Sequence, residues 1–371
     1  VYPPIKGDPA AARRALEAIA KEGTRLDVIV CTEATASWAV FDNLPALRKS
    51  APSLAKVTIV TPRSYWWPTF LMADNLLNVA NQIVVIAILA IGMTMVIITG
   101  GIDLSVGSLI ALSAVVSALL IRDVAGGTKA SAAGMMLCCL SGIALCAVIG
   151  LLSGITVAIF SIPPFIATLA MMQIASGLAY ILTEGQTVYE VPESFVWLGR
   201  GEDLLGLPNA VVLMLLLYIA AHFLMTRVPL GRYIYAVGGN EEAARLSGVS
   251  VKSVLLFVYG MSGLTAGLGG VVQASQLKCG APNFGGMYEL YTIAAVVVGG
   301  TSLSGGKGKI FGTLIGAFII AVIQNGMNLT GVGSYTQKVV LGLVILGAVL
   351  LDMLKKGGSF APRWFRSQAR S

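Results

Sequence analysis

Between residues 71 and 356 the chain is dominated by apolar runs, and these limit its fold more than any other feature. They lie at about 76–98, 103–121, 131–152, 161–182, 209–225, 252–275, 289–301, 310–329 and 337–354. A soluble domain of this size has no interior large enough to hide them. A bilayer needs no such interior, because lipid covers the apolar face. Composition agrees: hydrophobic residues make up 56% and charged residues 12%, against about 25% charged in soluble domains. The expected fold is therefore an all-α polytopic membrane protein with about nine transmembrane helices. Several runs fall short of the ~20 residues that a full crossing needs. Short, Gly-interrupted runs point to broken or half-crossing helices, which line translocation paths.

Residues 1–70 are different in kind, mixed and charged. Asp8 is placed to N-cap a helix running to Glu22, with Ala12, Leu16 and Ile19 on one face and Gly23 as its stop. Leu26 to Cys31 reads as a buried strand, Ala34 to Lys49 as a second helix and Val57 to Val60 as another strand. Such alternation predicts parallel pairing. Residues 357–371 form a basic tail. Val1 heads the chain without an initiator Met, so a fragment or processed product is expected.

The placement of Lys and Arg predicts orientation. Arg227, Arg232, Arg245, Lys252, Lys307, Lys309, Lys355, Lys356, Arg363, Arg366 and Arg370 fall on one side of nine crossings. The opposite loops carry Arg122, Lys129, Arg200, Lys278 and Lys338, together with Glu184, Glu190, Glu193, Glu202 and Asp203. Eleven cations against five assign the C-terminus to the cytoplasm. An odd number of crossings then puts residues 1–70 in the periplasm.

Several chemistries find no support. Cys31, Cys138, Cys139, Cys146 and Cys279 form no C-x-x-C pair, and His222 is the sole histidine, so neither a metal site nor a disulfide framework is expected. No basic stripe with interleaved aromatics suggests nucleic acid, and no nucleophile–base pair suggests an enzyme. The segment Gly299 to Gly308 looks like a phosphate loop, but Gly308 stands after Lys307 where a Ser or Thr belongs. No cofactor is expected on this chain.

Three polar, Gly-rich segments interrupt the apolar pattern. Gly100 to Ser108 breaks two runs, with Asp103 able to cap the following helix. Gly238 to Gly248 contains Asn240, an N-cap for a short helix with Glu241 and Glu242 in its first turn, stopped by Gly248. Either a solvated connector or a helix that docks on a cytoplasmic partner fits this segment. The third is Gly299 to Gly308. The pairs Gly263/Gly267 and Gly312/Gly316 predict close helix packing. Polar residues within or near the runs are candidates to line a path for an uncharged, hydroxylated solute: Asp103, Ser105, Gln173, Gln273, Glu289, Gln324 and Asn325. Interhelical hydrogen bonding is the plainer role for each. Asn78, Asn81 and Gln82 lie near the end of the first run. Intramembrane charge is too sparse for a proton relay.

The stretches Ala90–Ser108, Ala236–Gly248 and Glu289–Gly306 resemble the permeases of bacterial ATP-binding cassette (ABC) importers for ribose, xylose, galactosides and related compounds. The likeness covers about residues 70–354. It implies a permease that moves a monosaccharide or similar small polar solute across the inner membrane by alternating access. It also implies that Asn240, Glu241, Glu242, Ala243, Ala244, Arg245, Leu246, Ser247 and Gly248 form the coupling segment. The implied partners are an ABC ATPase that holds ATP and Mg, a periplasmic solute-binding protein and a second permease copy. Family members usually have about ten spans and an extra first helix. In its place, residues 11–70 resemble the C-terminal part of a periplasmic sugar-binding domain, which suggests a fusion of binding domain and permease. A secondary transporter without an ATPase is the main alternative; a tethered receptor would not need so many spans.

Overall fold

In the computed structural model the described residues are 9–36, 38–42, 44, 52–54, 57–61, 69–204 and 206–355. The chain divides into two compact units, Val1–Pro68 and Thr69–Ser371.

In the first unit, α1 (Pro9–Glu22) buries Ala12, Leu16 and Ile19, the face its spacing predicts. The expected cap at Asp8 lies outside the described residues. Strands β1 (Val28–Val30) and β2 (Thr58–Val60) pair in parallel, Ile29 opposite Ile59. β1 is not buried on both faces as its apolar run suggested. Ile29 packs on the core, while Val28 and Val30 are 50% and 72% exposed, so the sheet is covered on one side. The helix expected over 34–49 begins as two short turns, α2 (Glu33–Ala36) and α3 (Ala39–Asp42), and most of the rest lies outside the described residues.

The second unit is helical. Its elements are α4 (Ala73–Ile98), α5 (Val106–Asp123), α6 (Ala132–Ala158), α7 (Pro164–Thr183), α8 (Trp197–Arg200), α9 (Asn209–Arg227), α10 (Pro229–Gly239), α11 (Glu241–Leu246), α12 (Val251–Leu277), α13 (Tyr288–Val298), α14 (Ile310–Leu329) and α15 (Ser334–Lys355). Among the described residues seven helices are long and apolar enough to cross a membrane: α4, α5, α6, α7, α9, α12 and α14. Each of the nine expected runs holds a helix; α13 and α15 fall outside the seven, and α13 is of the half-crossing kind that the short runs predict. That helix has 11 residues, about 16 Å at 1.5 Å per residue, half a bilayer core.

α4 is apolar around its whole circumference and sits at the centre, as such a pattern requires. Every residue from Ile83 to Ile98 is buried, against α12, α14, α13, α9 and α10. Its few polar groups are satisfied inside: Thr94 Oγ1 lies 2.7 Å from Thr313 Oγ1 of α14. α6 and α7 are peripheral and leave Leu137, Leu140, Val148, Phe165, Ile166 and Ile181 exposed, suited to a lipid surround.

Small residues bring the helix backbones together. A Cβ on Gly263 of α12 would overlap the Cys146 carbonyl of α6 and lie 3.0 Å from Gly150 Cα; one on Gly267 would lie 2.9 Å from Ile143 Cα. Gly316 of α14 meets α13 in the same way, 2.6 Å from the Gly299 nitrogen. Both small-residue pairs thus serve packing, as their spacing predicts.

The connection from α12 to α13 is not a surface loop. Residues 279–287 run as a series of turns along α5: a Cβ on Gly280 would stand 2.5 Å from the Ala114 carbonyl oxygen, and one on Gly285 would lie 3.0 Å from Ile110 Cβ and overlap the Gly107 carbonyl. Non-helical backbone at this depth is tolerated because protein surrounds it.

Because Gly263 faces backbone and Gly177 of α7 faces open space, the two should respond oppositely to alanine. Gly263→Ala should lower stability in detergent by about 1–3 kcal/mol, as overpacking does. Gly177→Ala should raise it by roughly 0.5–1 kcal/mol. Thermal unfolding of the purified variants checks this; equal shifts would contradict the packing described.

Candidate functional site: a glycine junction and a polar pocket

A helix leaves its last carbonyls without intrahelical partners, and in an apolar bundle they must find others. α4 ends at Ile98. Its chain leaves through a Schellman cap: Gly101 N–H donates to Val96 O (3.0 Å) and Gly100 N–H to Ile97 O (2.9 Å), with Gly100 at φ +83°. The Ile98 carbonyl is taken by Gly306 N–H, at 2.8 Å, from the third Gly-rich segment. The second segment closes on the same point. A Cβ on Gly238 of α10 would overlap the Ile98 carbonyl oxygen and lie 2.8 Å from Gly306 N. Tyr235 Oη donates to Gly308 O at 2.8 Å. Segments far apart in sequence therefore meet backbone to backbone, where any side chain larger than hydrogen would separate them.

α11 leaves this junction directly. Asn240 caps it as its sequence predicts, its side chain accepting from Ala243 N–H at 3.0 Å, and Gly248 ends it at φ +83°. Glu241, Glu242, Ala243, Arg245, Leu246 and Ser247 are exposed and Ala244 is buried. The Glu242–Arg245 ion pair is solvent-exposed and contributes little. Leu246 is 80% exposed, an apolar side chain offered outward from a charged helix.

The two helix breaks share one design. α13 ends as α4 does: Thr301 N–H donates to Val296 O (3.1 Å) and Gly300 N–H to Val297 O (2.9 Å), with Gly300 at φ +88°. Beyond each cap a polar side chain accepts from the backbone two residues ahead of it: Ser105 N–H donates to Asp103 Oδ1 (3.0 Å) and Ser304 N–H to Ser302 Oγ (3.2 Å). The sequences Gly100-Gly101-Ile102-Asp103-Leu104-Ser105 and Gly299-Gly300-Thr301-Ser302-Leu303-Ser304 are alike, although the caps stand one residue apart in that alignment, with positive φ at Gly100 and at Gly300. The segment resembling a phosphate loop is thus a second helix cap and one side of the junction.

The path candidates separate into two groups. Asp103 and Ser105 are fully buried. Asp103 does not act as the simple N-cap expected for α5: Ser105 holds that position, and the carboxylate accepts from Ser105 N–H, Ser105 Oγ (2.6 Å) and Ser262 Oγ of α12 (2.6 Å). Gln273 is 9% exposed inside α12. Asn325 exchanges two 3.0 Å hydrogen bonds with Asn75, tying the end of α14 to the start of α4. Gln324 is half-buried beside it. Gln173 and Glu289, by contrast, line one pocket of about 260 Å³ with Ser108, Tyr180, Asn283 and Met172 among its other walls. Ser108 and Asn283 were not singled out in the sequence. The signal for Asn283 was Gly280, Pro282, Gly285 and Gly286, a helix-breaking run inside an apolar region.

The pocket lies level with the middle of α12. Asp103 bonds to Ser262, and Gly270 packs on Ile110, so the start of α5 lies against the middle of α12, a helix about 40 Å long. Glu289, at the start of α13, is half-buried and has no cationic partner among the described residues. An acid facing the hydrocarbon centre costs about 2.5–3.5 kcal/mol even on the lowest scale, so this face belongs to water or protein.

The sequence matches the family described as branched-chain amino acid transport system / permease component over residues 75–349. A ribose import permease protein of Escherichia coli K12 is 45% identical over 307 residues, 82% of this chain and 92% of its own length. The D-allose transport system permease protein of the same organism is 38% identical over 285 residues, 77% and 85%. A galactose/methyl galactoside import permease protein of Salmonella typhimurium LT2 is 38% identical over 298 residues, 78% and 89%. No solved structure matches the chain.

Gly238 and its neighbour give a controlled test of the junction, since a Cβ on Gly239 meets nothing within 4 Å. Gly238→Ala should speed amide hydrogen exchange at Gly306 by about ten-fold or more, through loss of roughly one backbone hydrogen bond's stability. Gly239→Ala should leave it unchanged. Exchange measured by mass spectrometry decides; protected Gly306 in both variants would remove the junction.

Proposed function

We propose, from the premise that this chain belongs to the branched-chain amino acid transport system / permease component family, that it is the membrane-spanning permease of an ATP-driven monosaccharide importer of the bacterial inner membrane. The sugar class is supported by relatives named for ribose, allose and galactose or methyl galactoside, each matched over most of its length. In this reading ATP and Mg²⁺ are bound by a separate ABC ATPase, and a second permease copy covers the polar face beside the pocket. Solute is delivered by a periplasmic binding protein or by a binding domain to which residues 1–70 belong. The parallel β1–β2 pair supports that last point. The C-terminus lies in the cytoplasm and residues 1–70 outside.

The observation that carries the reading is the junction. α11 is short, capped at both ends, exposed, and joined without a linker to the breaks after α4 and α13. A helix so mounted converts a push from a docked ATPase into movement of both breaks, which is what alternating access requires. Leu246 supplies an apolar contact at the tip, and Glu241 and Glu242 supply charge.

Reconstitution with the ATPase and binding protein in proteoliposomes tests it. ATP should drive uptake of labelled ribose, allose or methyl galactoside. Leu246→Asp, and Glu241 and Glu242 changed together to Ala, should each lower ATP-driven uptake about ten-fold or more, with thermal stability within about 0.5 kcal/mol of the parent, as for surface changes. Uptake at the full rate without ATP would instead identify a secondary transporter.

A further inference from the structure

The pocket that unites Gln173 and Glu289 has a chemistry of its own. We propose that it is a solute-holding station inside the permease: a site for one uncharged, polyhydroxylated molecule of monosaccharide size, held between α5, α7 and residues 279–287, with Glu289 and Gln173 as its hydrogen-bonding residues. The proposal rests on the sugar-importer reading and adds a place where the permease itself recognises solute.

Four features carry it. First, the wall combines one carboxylate, two amides and three hydroxyls: Glu289, Gln173 and Asn283, with Ser108, Ser176 and Tyr180. A carboxylate only accepts, while amides both donate and accept, so together they complement hydroxyls that do both. Ser108 Oγ donates to Ser105 O at 2.8 Å and keeps its own oxygen free to accept. No Lys or Arg lines the pocket, so nothing there favours a phosphate or carboxylate. Nor do residues of metal-binding type cluster among the described residues, as a hard cation collecting six or more oxygens would need.

Second, the volume suits a small solute. At about 260 Å³ it lies just below the roughly 300–1,000 Å³ of pockets for drug-sized ligands. Met172 and Phe284 add apolar surface for the carbon face of a ring.

Third, the carboxylate is placed by a close approach. A Cβ on Gly107 would overlap Glu289 Oε2 and lie 2.6 Å from the Gly285 carbonyl oxygen. Only glycine lets Glu289 lie against the start of α5, at a depth where hydrocarbon would exclude it.

Fourth, the pocket is mechanically connected to the junction. Glu289 stands in the first turn of α13, and the last turn of α13 enters the Gly299–Gly300 cap that leads to Gly306. The adjoining wall begins at Gly107, at the end of the break after Ile98. Displacing the junction therefore moves two walls of the pocket relative to α7.

The test uses the full importer in proteoliposomes and measures labelled ribose, allose and methyl galactoside imported per ATP hydrolysed. Glu289→Gln and Gln173→Leu should each cut maximal uptake about ten-fold, the consequence of losing a hydrogen bond to a charged or polar partner. ATP hydrolysed per sugar should rise correspondingly, because the ATPase still cycles while solute is not held. Glu289→Asp, which keeps the charge, should recover part of the yield. Unchanged sugar per ATP in both variants would overturn the station while leaving the importer reading intact. A proportional fall in uptake and hydrolysis, with a lowered unfolding temperature, would also overturn it, by making Glu289 a packing residue. Failure of the parent protein to import any of the three sugars with ATP would overturn the importer reading, and the station with it.

Discussion

The structure depends on how backbone carbonyls are satisfied where helices stop inside an apolar bundle. Ile98 is fully buried, and a buried carbonyl left unpaired costs free energy. The bundle solves this at Ile98 by bringing Gly306 N–H to its oxygen, and at the two caps by Gly100 and Gly300. Each solution requires a glycine, for positive φ or for close approach. What looks like scattered Gly-Gly sequence is therefore one requirement met from three segments.

A mechanical consequence follows. Because backbone touches backbone at the junction, little side-chain flexibility lies between α11 and the breaks. The half-length α13 then extends from the junction to the pocket, where Glu289 and the start of α5 form walls. Turns within residues 279–287 line the pocket beside it. A continuous helix there would have filled the space the pocket occupies.

Much of this was legible in the sequence. The apolar runs located the helices, the spacing of Gly263 and Gly267 predicted a close contact, and Asn240 and Gly248 bounded α11. Parallel pairing of β1 with β2 followed from the alternation of helix and strand. The misreadings have physical causes. β1 was taken as buried on both faces because three β-branched residues in a row do not reveal which faces are covered. α13 was given a full run to residue 301, since the Gly299–Gly300 cap that ends it is itself apolar in composition. Asp103 was read as a local cap because its bond to Ser262, far along the chain, has no local signature. The same limit applied to the pocket: Gln173 and Glu289 were both visible as polar residues in apolar surroundings, but not as neighbours.

The central claim is that α11, the junction and α13 move as one body when the importer turns over. Spin labels at Ala243 on α11 and Leu290 on α13, each referred to a third at Val148 on α6, measure this by pulsed electron resonance in the assembled importer with and without ATP. The predicted result is an unchanged 243–290 distance while the distances of both to 148 change. A 243–290 distance that changes with ATP while 290–148 stays fixed would show α11 moving alone, and would contradict the junction as the coupling element.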